Sequence, residues 1–286
     1  MRVDAHQHFW HYSSEEYGWI NDAMSVIRRD FLPADLRPLL LETGVDATVA
    51  VQACQSMEET DWLLELAESH EWIAGVVGWV PLANEQVEAT LERLSAKTKL
   101  KGVRHVLQAE ADEYMRRDDF NEGLALLRRY SLTYDVLVLE RQLPAAIDLV
   151  DNHPEQRFVL DHLAKPLIAA QVLEPWKSNI QELARRPHVC CKLSGMVTEA
   201  SFDTWTAEDL RTYIETVLEC FGPKRLMFGS DWPVCNVASS YSRWIEVVKK
   251  CLSELSASEQ SAILGGNAVE FYGLRELTKP HEVETA

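Results

Sequence analysis

The chain has 286 residues, of which 47% are apolar and 26% charged, and its 28 basic against 45 acidic residues give a net charge of -17. Such a chain is a soluble globular protein that can bury a large core without staples. The acidic excess excludes nucleic acid as a partner, because phosphate binding needs clustered Lys and Arg, whereas a cation or a neutral small molecule suits that field.

Short apolar or β-branched runs alternate with amphipathic stretches along the whole chain. Strands are predicted at Arg2 to His6, Ala47 to Gln52, Ile73 to Trp79, Leu100 to His105, Thr133 to Leu139, Arg157 to Asp161, Val189 to Leu193 and Arg225 to Gly229. Helices are predicted between and after them at Pro33 to Thr43, Glu58 to Ser69, Glu85 to Ala96, Phe120 to Tyr130, Pro144 to Asn152, Pro175 to Arg186, Ala207 to Phe221 and Tyr241 to Leu255. Their apolar residues recur at three- and four-residue spacing, as in Leu63, Leu64, Leu66 and Ala67. Pro144 and Pro175 suit first turns, and Thr206 with Asp209 reads as a capping box.

Strict alternation predicts a parallel sheet, and eight units in about 255 residues fit a closed α/β barrel, a (β/α)8 TIM barrel, better than an open doubly wound sheet. The absence of G-x-G-x-x-G after any strand removes the usual dinucleotide reading. Residues Ser258 to Leu264 and those after Asn267 are expected to close the bottom or side of the barrel, with a loose polar tail from Leu277. No linker or repeat interrupts residues 1 to 286, so one domain is expected. The six cysteines form no CxxC pair and are expected to be reduced and mostly buried. No apolar leader follows Met1, and runs such as Val136 to Leu139 are too short for a bilayer. A cytoplasmic protein without a membrane partner is expected, and homo-oligomer formation is left open.

Barrel enzymes place their chemistry at the C-terminal ends of the strands. Strand one ends in His6-Gln7-His8, and two imidazoles at i and i+2 of an extended segment reach the same side. Strand six ends in Asp161-His162, and strand eight leads into Ser230-Asp231-Trp232. His6, His8, His162 and Asp231 can thus converge, and imidazole with carboxylate suits Zn²⁺ or a similar ion. Arg104 and His105 alternate in direction at the top of strand four, so one of them faces the pocket squarely, with Arg104 preferred. Gln52 offers an amide contact after strand two. Lys165 is a hydroxyl ligand or a surface lysine. Trp10, Trp79 and Trp232 form aromatic walls or core packing. His70, His153, His188 and His281 carry no assigned chemistry.

Asp4-Ala5-His6-Gln7-His8-Phe9-Trp10, Gly102-Val103-Arg104-His105, Glu140-Arg141-Gln142-Leu143-Pro144, Leu160-Asp161-His162-Leu163-Ala164-Lys165-Pro166 and Phe228-Gly229-Ser230-Asp231-Trp232-Pro233 occur in this order. Together they resemble the lactonase group of the amidohydrolase superfamily, and the first and third strings are most similar to its sugar-lactonase members. The resemblance implies hydrolysis of a sugar-acid lactone of L-fucono- or L-rhamnono-lactone type to the open aldonic acid. It implies that Asp231 is the general base and then general acid, that His6 and His8 hold a metal ion or the substrate carbonyl, and that His162 orients substrate or polarises the carbonyl. Glu140 is implied as a metal ligand or a hydroxyl acceptor, against a plain salt bridge to Arg141. The carboxylated lysine of two-metal members has no counterpart, because Arg104-His105 stands there and Lys101 comes too early. One divalent ion, zinc foremost, or none is therefore expected. The rival readings are a metal-dependent decarboxylase of an unsaturated or aromatic acid on the same barrel, and a binding protein that has lost catalysis.

Overall fold

A computed structural model describes residues 1–275; the expected tail and His281 lie outside the described residues. Eight parallel strands run in the order β1 to β8: Val3–Gln7, Ala47–Val51, Ile73–Gly78, Leu100–His105, Thr133–Val136, Phe158–Leu160, Val189–Leu193 and Leu226–Phe228. The seam closes where the Asp231 N–H donates to His6 O at 2.8 Å and the His8 N–H to Trp232 O at 2.7 Å. This is the (β/α)8 barrel. The helices are α1 Pro33–Thr43, α2 Met57–Ser69, α3 Val87–Ser95, α4 Asp118–Leu126, α5 Leu143–Asn152, α6 Trp176–Leu183, α7 Ala207–Phe221 and α8 Tyr241–Cys251.

Each strand is buried on both faces, which is why their sequences read as apolar runs rather than as alternation. Two elements differ from expectation. The β5 run ends at Val136, because Leu137 turns its carbonyl to the Gln108 N–H on a short turn instead of to a strand. The helix expected to reach Tyr130 tightens into 3-10 form over Leu127–Tyr130 before Ser131 enters the left-handed region at φ 58°. Pro144 does sit in the first turn of α5, and Asp209 accepts the Thr206 N–H at 2.7 Å at the start of α7.

The bottom of the barrel is plugged by the C-terminal helices α9 (Ala257–Ser261) and α10 (Asn267–Tyr272) and the wide turn Ala262–Gly266 between them. A Cβ at Gly265 would lie 2.3 Å from Met1 O, so only glycine lets that turn approach β1. Asn267 Nδ2 donates to Pro223 O at 2.7 Å and Leu226 O at 2.6 Å, fastening the plug to β8. Among the described residues no helix is long and apolar enough to cross a membrane. All six cysteines are free, Cys191 and Cys235 fully buried.

Candidate active site

The two-residue period of β1 turns His6 and His8 to the barrel mouth and Gln7 the other way, where its Nε2 meets Thr48 Oγ1 at 3.2 Å. His8 Nδ1 pairs with Val51 O at 2.7 Å. A carbonyl only accepts, so Nδ1 carries a proton. The other nitrogen, Nε2, lies 3.2 Å from His6 Nε2 and 3.3 Å from Asp231 Oδ1.

His162 and Asp231 come from irregular backbone beyond the short strands β6 and β8. His162, Leu163, Ala164 and Lys165 all have positive φ (54°, 54°, 59° and 49°), a left-handed run that L residues adopt at a cost. Packing holds it: Trp176 Nε1 donates to Leu163 O at 2.7 Å, and a Cβ on Gly195 would lie 2.4 Å from His162 Nδ1. Ser194 Oγ meets that same Nδ1 at 2.8 Å, which leaves His162 Nε2 facing Asp231 Oδ1 at 3.8 Å. Asp231 itself sits at φ 57°.

The charge states follow from burial and neighbours. Burial pushes the Asp231 carboxyl up, but His162 and the hydrogen bond from His8 outweigh it and hold the group below the usual carboxylate range. Burial lowers His162 to about 4 despite Asp231, so the ionised carboxylate faces a neutral His162 imidazole at neutral pH. Burial likewise lowers His6 well below an ordinary histidine, against the pull of Asp161.

Beneath the mouth lies a buried ion network that sequence reading passes over. Lys192, on β7, is fully buried and contacts Asp135 Oδ2 at 2.5 Å, Asp161 Oδ1 at 3.0 Å and His6 Nδ1 at 3.1 Å. Tyr272 of α10 donates to Asp135 Oδ2 at 2.8 Å from below. Arg104 caps the network from above, giving NH1 to Asp161 Oδ2 at 3.0 Å and NH2 to Gln52 O. The signal was present: Asp135 and Lys192 are opposite charges inside strands expected to be buried on both faces, where lone charges do not survive.

The other expected residues fall into two groups. Arg104 points inward as expected, while His105 turns to the rim, taking Trp79 Nε1–H on Nδ1 at 3.3 Å and giving Nε2–H to Glu110 at 3.0 Å. Gln52 Nε2 donates to Arg104 O at 3.2 Å behind the site. Trp10 and Trp232 are fully packed: Trp10 donates to Arg29 O at 2.9 Å, and both rings pack edge-on against Phe31. The alternative of core packing, rather than an open sugar wall, describes them. Lys165 meets Glu199 at 3.4 Å, both partly exposed. Glu140 is half-buried on the turn after β5 and stands outside the ligand clusters; Arg141 pairs with Asp112 at 3.6 Å. His70, His153 and His188 contact Trp72, Asn121 and Phe158 respectively.

Two groups among the described residues bring three metal-capable atoms together: His6, His8 and Asp231, and His6, Asp161 and His162. In the first, the pairwise distances are 3.2, 3.3 and 3.9 Å. Tetrahedral donors at about 2.0–2.1 Å from Zn²⁺ stand roughly 3.3 Å apart, so this triad fits such an ion. In the second, Asp161 is already engaged by Lys192 and Arg104, which leaves it poorly suited to a further cation.

The family described as Amidohydrolase matches residues 3–274. An L-fucono-1,5-lactonase of Burkholderia multivorans is 44% identical, over 96% of this chain and 97% of its own. Another protein of that name, from Burkholderia ambifaria, is 38% identical over 95% of each. A crystal structure of a Burkholderia multivorans amidohydrolase with bound zinc superposes with a TM-score of 0.93 at 43% identity, covering 96% of this chain and 100% of that one. The chain belongs to the amidohydrolase family.

Proposed function

We propose that the protein hydrolyses a sugar-acid lactone, of the L-fucono-1,5-lactone kind named for its relatives, to the open aldonic acid. The observation that carries this is the convergence of one ionised carboxylate, Asp231, with the imidazoles of His6, His8 and His162 at the barrel mouth. Asp231 accepts a proton from water as the water oxygen adds to the lactone carbonyl carbon. His162 is held by the Ser194 hydroxyl at Nδ1 and turns Nε2 to the mouth, where in the tautomer protonated on Nε2 it donates to the carbonyl oxygen as that oxygen gains charge. The ring C–O bond then breaks, and Asp231 returns its proton to the departing alkoxide.

His6, His8 and Asp231 would hold a divalent ion, zinc for choice. Bound there, it would polarise the carbonyl as a Lewis acid. Lys165 and Glu199 together offer a donor and an acceptor for ring hydroxyls, and Glu140 a further acceptor. Trp79 and His105 form the opposite rim.

A pH-indicator assay of an aldonolactone panel, run with and without a chelator, tests the proposal. Acid release from a six-membered sugar lactone, lost in Asp231→Asn, is expected. No acid release from any lactone, with or without added zinc, would sink it.

A further inference from the structure

At the floor of the barrel, opposite the catalytic mouth, a cleft of about 350 Å³ opens between the N-terminal ends of β4 to β6 and the end of α10. Its volume is in the range of small-molecule sites. Lys101 of β4 and Arg157, the residue before β6, both line it, from strands two places apart in the barrel. Neighbouring strands lie about 4.8 Å apart, so the two cations rise from backbones roughly 10 Å from each other, with Leu132 between them. Both are oriented without being neutralised. Lys101 Nζ donates to Gly273 O at 3.3 Å, and its stem fills the space beside Gly75, where a Cβ would lie 2.7 Å from Lys101 Cγ. Arg157 lays its guanidinium 4.8 Å from the Phe271 ring centre and gives NH2 to Glu270 O at 3.0 Å. Carbonyls and a ring face direct a cation but leave its charge, and neither side chain forms an ion pair among the described residues. The nearby Lys97 differs, being held by Glu68 at 3.0 Å. Burial and the positive charges of Arg275 and Lys99 push the Lys101 ammonium below the usual lysine range, a strain that a bound anion would relieve. In a chain of net charge -17, this positive cleft runs against the overall field.

We propose that this cleft is a second binding site, for a small organic dianion: a phosphate monoester or a short dicarboxylate held between Arg157 and Lys101. The planar fork of an arginine matches two oxygens of a carboxylate or phosphate, whereas a lysine adds a point charge and tolerates varied geometry. Leu132 and Phe271 offer apolar surface to the carbon skeleton, and the hydroxyls of Thr98 and Ser131 suit its polar end. The site lies at the opposite end of the barrel from His6, His8 and Asp231 and does not depend on the lactone.

Isothermal titration calorimetry of the full chain at pH 7 and low ionic strength tests it, with glucose 6-phosphate and glutarate as probes and glucose as the uncharged control. One or both anions are expected to bind at one site per chain with a Kd of about 1 mM or tighter, and glucose is not. Binding of glucose 6-phosphate alone assigns the phosphate monoester, and binding of glutarate alone the dicarboxylate. Lys101→Met and Arg157→Gln should each weaken that binding about 10-fold or more, as expected for loss of a charged hydrogen-bond donor. Lys101→Met keeps the packed stem, so it answers alone if Arg157→Gln, which gives up the Phe271 contact, loosens the plug. A wild type that binds neither anion overturns the proposal whether or not the variants fold. So does binding that a folded variant retains at full strength, since the anion then sits elsewhere, the mouth included. No lactone is present in these titrations, so a failed lactone assay leaves their outcome unaffected.

Discussion

Arg104 and Arg225 stand at opposite ends of the barrel and do opposite work. Arg225, at the entry to β8, distributes its donors over the carbonyls of Phe221, Cys220, Ala184, Arg186 and Val189, at 2.9 to 3.4 Å. It closes the loose ends of α6 and α7, where the last carbonyls of a helix have no internal partner. Arg104, near the exit of β4, holds one carboxylate and one carbonyl beneath the mouth, and its Nε is left without a hydrogen bond. On the lower face every donor of Arg225 is used. The upper face keeps left-handed residues and buried charge, the pattern expected where barrels place chemistry.

The largest test of that contrast is Asp231→Asn, which should reduce lactone turnover about 10³-fold by removing the base. Its thermal midpoint should stay within about 3 °C of wild type, since the upper face is not what holds the fold. A drop well beyond that, measured by calorimetry, would show that the site also carries structural load. Arg225→Met is the converse: roughly 2–4 kcal/mol of unfolding free energy should disappear with the five carbonyl contacts, and kcat/KM should not move. A fall in kcat/KM without loss of stability would erase the division between the faces.

A smaller effect distinguishes the faces by pH. Glu59, behind the upper rim, accepts the N–H groups of Ala53 and Cys54 at 3.0 and 2.9 Å, and burial pushes its carboxyl up to about 7. The folded state therefore binds this proton more tightly than the unfolded chain does. The associated stability is complete below about pH 4.5 and is lost as pH rises to about 7, by at most roughly 3 kcal/mol. Denaturant melts of Glu59→Gln across pH 5 to 8 should be flatter than wild type by part of that amount. Parallel slopes would remove Glu59 as the cause.

Most of the fold was legible because each strand holds a short apolar run and helices carry their own punctuation, such as Pro33 and Pro144 in opening turns. The His6, His8, His162 and Asp231 cluster was legible for a different reason: its members lie at strand exits, positions that alternation alone locates. Lys192 and Asp135 were harder, since a charge within a run such as Val189–Leu193 reveals that it needs a partner but not which one. Trp10 and Trp232 show the reverse difficulty. Both follow strand exits, yet Phe31, brought in by the long β1–α1 connection, covers them. Long loops choose their own packing, and their sequence carries no period to read.

The seam that closes the barrel joins the two extremes of its strand order: the Ser230 N–H reaches back 226 positions to Asp4. During synthesis a ribosome adding roughly 5–20 residues per second would leave both β1 histidines waiting about 10–45 s for their carboxylate. A chain released before β8 would hold imidazoles and no base. Turnover therefore reports that β8 has been made: no prefix that stops short of Asp231 is a weaker version of the whole.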